Sequence, residues 1–173
     1  MAMTSDRIRA VRGEADAQAV CADIRRSGAF VEFASRFMRD DDRKVARNAL
    51  WILTKATDDE LSALQSMLGD FICLAMQTRD SSVRRLSLNV IERLEISKDT
   101  LRTDFLDFCL ERMTAADELP GAQSLCMKLA YRMCRFYPEL EGELMRTLQS
   151  MEISYYKPAV RSVRSRIMSG KMR

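Results

Sequence analysis

The chain of 173 residues carries 28 Lys+Arg against 25 Asp+Glu, no histidine, 6 Gly and 3 Pro. That length suits one domain with a sizeable core, and so few turn formers exclude a sandwich or barrel of many short strands. The lack of histidine excludes His-based acid/base catalysis, Ser-His-Asp and Cys-His nucleophile pairs and imidazole metal sites, and the net charge of +3 by itself names no partner.

In chain order, the first segment holds basic residues without a continuous apolar stretch, so neither a secretory signal nor a membrane anchor is expected there. No run of 18 apolar residues occurs further on, so no membrane span is expected. Residues 1–13 read as a flexible N-terminal arm made basic by Arg7, Arg9 and Arg12. From residue 14 to 173 the chain reads as a single domain, with apolar positions recurring at i, i+3, i+4 and i+7. Breakers punctuate it at Ser27-Gly28, at 39–42, at 57–59, at Asp80-Ser81, at 97–99, at Pro120-Gly121, and at Pro138 and Pro158. Asp42 and Asp80 suit helix N-caps, and the three prolines suit first-turn positions. The links are short, which predicts antiparallel neighbours, eight or nine helices and an all-α protein.

The helical segments repeat. The stretch from Asp42 through Val45, Ala49 and Leu50 aligns with that from Asp80 through Val83, Ser87 and Leu88. The frame continues at Ala122 and Cys126 and again at Val160, so the anchors 45, 83, 122 and 160 lie 38, 39 and 38 residues apart. A small residue stands four after the anchor (Ala49, Ser87, Cys126), where helices must approach closely, and Arg164 takes that place in the last unit. A period near 40 with two helices per unit marks an α-solenoid. A compact helical bundle is the structural alternative.

These stretches, with Val45-Ala-Arg47 after Asp42 and Val83-Arg84-Arg85 after Asp80, resemble the second-helix pattern D-x-x-V-R-x-x-A-x-x-x-L of HEAT/armadillo repeats. The resemblance implies an α-α superhelix of about four HEAT-like hairpins, with units near 14–56, 57–95, 98–136 and 138–170. It also implies that the second helix of each unit lines a concave surface.

Sorted by helix, the net charge separates. The expected second helices, 43–57, 81–95, 119–136 and 157–173, sum to +14, and the rest of the chain to −11. Positions two, six and ten after each anchor share one helix face and read Arg47, Trp51, Lys55; Arg85, Asn89, Arg93; Ser124, Lys128, Arg132; Ser162, Arg166, Gly170. None is acidic, and Arg135 follows on the third helix. Such a face is expected to be exposed and to focus a positive potential suited to a phosphate backbone or an acidic peptide. Two plainer readings stand beside it. Arg47 and Arg84 would pair with a neighbouring repeat's Asp in a structural ladder, or the stripe is a solvated helix face. A solvated face normally mixes signs, and this one does not. Trp51, the single tryptophan, either stacks on a base or packs into the next repeat.

Little in the sequence points to catalysis. The five cysteines are odd in number, widely spaced and lack a C-x-x-C, which favours a reducing cytoplasm over disulfides. Cys73, Cys109 and Cys126 lie in apolar helical runs and read as buried hydrophobes. No phosphate-binding glycine loop occurs, and the runs 40–42 and 58–60 read as helix starts, not cation sites. HEAT-like DNA alkylation-repair glycosylases are similar in kind, but their catalytic carboxylate has no counterpart on the basic face. The expected protein is therefore a non-enzymatic, cytoplasmic binding module, a monomer or weak dimer. It needs no catalytic residue, metal, cofactor or small-molecule substrate, and its expected ligand is DNA or RNA backbone. A scaffold for an acidic peptide or helix is the alternative, and a glycosylase-like repair protein the second alternative.

Overall fold

The computed structural model describes residues 2–173. Among them there are nine α-helices of eight residues or more, two of five residues, and no strand. The chain forms two compact units, 1–95 and 96–173.

The first unit holds α1 (Ser5–Arg9), α2 (Glu14–Ser27), α3 (Phe30–Phe37), α4 (Arg43–Leu53), α5 (Asp58–Ser62), α6 (Leu68–Gln77) and α7 (Ser81–Glu92). Its centre is α4, which packs against α1, α2, α3 and α7, while α6 packs on α7. The sequence explains this role: Val45, Ala49, Leu50, Ile52 and Leu53 are fully buried, and Ala46 and Ala49 let neighbouring backbones come close. Gly28 ends α2 at φ 65°, a left-handed conformation that favours glycine. Thr57 and Glu60 start α5 with a reciprocal capping box.

The N-terminal segment, expected as a flexible arm, is folded from Ser5. The side chain of Ile8 is fully buried and that of Val11 nearly so. Buried Asn48 of α4 donates through its amide nitrogen to the carbonyls of Ile8 and Val11, at 3.0 Å each. Two apolar side chains and a buried amide anchor are enough to order a short segment that charge alone suggests is solvated.

The second unit holds α8 (Thr103–Arg112), α9 (Pro120–Cys134), α10 (Pro138–Ser150) and α11 (Pro158–Met168). Here α9 is central, packed by α8, α10 and α11. Its neighbours bury residues around most of its circumference, including Ser124, which the repeat pattern expects to be exposed. Proline opens α9, α10 and α11, and all four repeat anchors, Val45, Val83, Ala122 and Val160, are buried. The small positions Ala49, Ser87 and Cys126 are fully buried too. Arg164, in the small position of the last unit, is half-buried and donates to the carbonyl of Leu148 at 2.6 Å.

Asp42 and Asp80 cap α4 and α7 as expected. Asp42 accepts from the N–H of Lys44 at 2.8 Å, and Asp80 from those of Ser82 and Val83 at 2.8 and 3.0 Å. Each cap also holds an arginine from earlier in the chain: Arg9 of the N-terminal segment reaches Asp42 at 2.6 Å, and Arg43 of the preceding repeat reaches Asp80 at 2.8 Å. One inter-repeat pair of the expected kind is therefore made by Arg43, and Arg47 holds no ion pair among the described residues. Arg84 turns to the end of α6, donating to the carbonyls of Ala75 and Thr78.

The Arg9 guanidinium and the Lys44 N–H hold the Asp42 carboxyl below the usual range. Burial pushes the Asp80 carboxyl up, but the Val83 N–H, Arg43 and the Ser82 N–H outweigh it and leave it lowered. A lowered folded value contributes stability above the unfolded value, about 3.9, and loses it as pH falls through the folded value. The melting temperature should thus hold from about pH 7 to 5 and fall below about pH 4. An Asp42→Asn, Asp80→Asn variant keeps a capping oxygen and should fall less steeply. Identical acid profiles for the two proteins would remove the caps from the acid transition.

Candidate functional site

One face of α4 and one face of α7 border a surface depression of ≈ 450 Å³ within the first unit. From α4 come Lys44, Arg47, Asn48 and Trp51, which the 3.6-residue period places on one side of the helix. From α7 come Ser82, Arg85 and Leu86 by the same spacing, and the α1–α2 link adds Val11 and Arg12. The Asn48 bonds to the carbonyls of Ile8 and Val11 hold that link against α4, which brings Arg12 to the rim.

Four cations therefore converge here (Arg12, Lys44, Arg47 and Arg85), and among the described residues no carboxylate lines the depression. Several other basic residues of the first unit are paired, while Arg36 and Arg79, outside the depression, hold no ion pair among the described residues. Arg7 pairs with Asp23, Arg9 with Asp42, Arg25 with Glu60 and Arg43 with Asp80. The side chains of Arg12, Lys44, Arg47 and Arg85 have no ion pair among the described residues. Unpaired positive charge gathered on one concave patch raises the local potential for an anion.

Of the face read from the sequence, Arg47, Trp51 and Arg85 line this depression. Lys55 does not: its ammonium pairs with Glu14 at 2.8 Å and lies 5.5 Å from the centre of the Trp51 ring. Trp51 is half-buried beneath it, so a packing role and an exposed ring surface coexist. Arg93 is tied down by Asp58 at 2.8 Å and by the carbonyls of Thr54 and Ala56 at 3.2 and 2.7 Å. It closes the end of α4 and serves the fold. Asn89 is half-buried on α7, outside the depression. Lys128, Arg132, Arg135 and Arg166 belong to the second unit. There Lys128 and Arg132 are half-buried, Arg135 lies 5.5 Å from the centre of the Tyr131 ring, and Arg166 is exposed on α11.

The match of the HEAT repeat domain model runs over residues 4–171. The chain belongs to the HEAT repeat family. No curated protein and no solved structure matches it. HEAT repeats are generally non-catalytic and commonly mediate protein interactions. The family match begins at residue 4, in keeping with a HEAT fold that includes the buried Ile8 segment. Among the described residues no helix of this HEAT protein is long and apolar enough to cross a membrane.

The five cysteines are free of disulfides, and three of them are pushed towards the thiol. Burial, with Cys126 and Cys134 alongside, pushes the Cys109 thiol well up. Burial together with Glu141 and Glu143 pushes Cys134 up to about 11, and burial raises Cys21. Thiols in such settings are poor nucleophiles at neutral pH. Cys109 and Cys126 are buried as expected, whereas Cys73 is half-buried.

Sequence reasoning missed Arg12 and Lys44 as site residues. The signal for Lys44 was present, because it stands three and seven positions before Arg47 and Trp51 on one helix face. The signal for Arg12 was the apolar pair Ile8 and Val11, whose spacing of three marks a helical contact.

Proposed function

We propose that the depression on α4 and α7 binds the phosphate groups of a nucleic acid, and that the protein is a non-enzymatic HEAT binding module. The observation that carries this reading is the meeting of Arg12, Lys44, Arg47 and Arg85, without counter-charges, around ≈ 450 Å³ of open volume. Guanidinium forks suit phosphate oxygens, and the half-buried Trp51 ring offers an apolar wall for sugar or base. A glycosylase-like reading gains no support here, since among the described residues no Asp or Glu lines the depression to serve as its carboxylate.

The test is a salt titration of binding to single-stranded and duplex oligonucleotides. At most four phosphate contacts predict a log–log salt slope no steeper than about −3 for a single strand. Absence of binding to either form at low ionic strength would reject the reading. The family's common use in protein interactions supports a second reading, in which the same cations hold an acidic peptide. Binding of a poly-glutamate peptide with no nucleic-acid binding would select it.

A further inference from the structure

The free charge around the depression is compact, not linear, and the first unit's other cations without an ion pair, Arg36 and Arg79, lie outside its lining. Lys44 and Arg47 lie in the first half of α4 and Arg85 in the first half of α7, with Arg12 opposite. Past the ends of those helices the remaining cations are neutralised, Lys55 by Glu14 and Arg93 by Asp58. At the other end stand the cap residues Asp42 and Asp80, engaged by Arg9 and Arg43. A strand running straight along α4 would leave the four free cations and meet ion pairs, Lys55–Glu14 and Arg93–Asp58, that offer its next phosphates no net charge.

Four free cations also exceed what one internal phosphodiester, with a single charge, would need. A terminal phosphomonoester carries close to two charges at neutral pH and offers three acceptor oxygens. The volume, ≈ 450 Å³, falls in the usual range for small-ligand sites and leaves space beside Trp51 for one nucleoside. The half-buried Ser82 hydroxyl on the α7 side can add a neutral donor.

Resting on the nucleic-acid reading above, we propose that the depression holds the phosphorylated end of a strand: a terminal phosphomonoester together with its nucleoside. The phosphate is grasped by Arg47, Arg85, Lys44 and Arg12, and the nucleoside lies towards Trp51. The chain has no histidine to titrate near neutral pH, so affinity follows the second ionisation of the ligand, near pH 6.

The experiment compares one short DNA sequence in four forms: 5′-phosphate, 3′-phosphate, hydroxyl at both ends, and covalently closed circle. Binding is read by anisotropy of an internal dye on the full chain. One phosphorylated form should bind at least about tenfold more tightly than the hydroxyl and circular forms, and that advantage should grow as pH rises through about 6. In Arg47→Gln the phosphorylated form should drop to the hydroxyl level, with the melting temperature unchanged. Salt-dependent binding that is alike within about twofold for all four forms overturns the end-specific assignment while leaving nucleic-acid binding intact. Complete absence of binding overturns both. A free nucleoside monophosphate that binds as tightly as the phosphorylated strand also overturns the assignment to a strand end.

Discussion

The Arg47→Glu, Arg85→Glu variant should lose nucleic-acid affinity by about a hundredfold or more, since each charge-assisted contact is worth about 1.5–3 kcal/mol and about 1.4 kcal/mol is tenfold. Its melting temperature should stay near that of the wild type. Neither side chain holds an ion pair among the described residues, and substitutions outside structural contacts shift stability by no more than about 0.5 kcal/mol. Arg43→Glu makes the opposite case. It places a carboxylate against Asp80, the cap of α7, so it should lower stability and leave affinity nearly intact. Measuring anisotropy and thermal melts on both variants checks the division. Unaltered affinity in the double variant would remove the depression from any binding role, and a large stability loss there would make Arg47 and Arg85 structural.

Asn48→Ala is the second large effect, and it should reach both stability and binding. Asn48 is buried, with 4 % of its surface exposed, and its amide bonds tie two carbonyls of the N-terminal segment to α4. Alanine leaves the Val11 carbonyl without that donor and opens a small cavity. The cost of such a buried orphan is about 1–3 kcal/mol, and in a chain of this size each kcal/mol corresponds to about 2–4 °C in melting temperature. Affinity should fall as well, because Arg12 is no longer held at the rim. A cycle with Arg12→Gln separates the two effects. Arg12→Gln should weaken binding in the wild type, without a stability change, and should add little in the Asn48→Ala background. Equal losses in both backgrounds would show that Asn48 does not position Arg12.

Much of the fold was legible in the sequence because helical repeats announce themselves twice, by period and by cap. Val45, Val83, Ala122 and Val160 could be read as anchors from their spacing alone, and Asp42, Asp80 and the three prolines each opened a helix. The site was legible only in part. Sequence spacing places Arg47, Trp51, Lys55, Arg85 and Arg93 on equivalent faces, but it carries no information on which distant carboxylate reaches back. Glu14 and Asp58, 41 and 35 residues away from their partners, decide that Lys55 and Arg93 serve the fold. Ser124 shows the same limit from the other side: a small polar residue in an exposed register is buried because α9 is packed by three helices. Arg12 escaped notice because a short segment is judged by its charge, while two apolar side chains and Asn48 decide its place.

The separation of the first unit's cations into paired and unpaired sets has a consequence for how this protein can change over time. Arg9 and Arg43 are bound to aspartates that also start helices, so replacing either disturbs a helix start, and such positions can drift only in concert. The side chains of Arg12, Lys44, Arg47 and Arg85 hold no ion pair among the described residues, so no partner charge constrains them. On the proposed reading, ligand preference can therefore be rewritten at those four positions, by changing sign or length, with no ion pair of the scaffold to break.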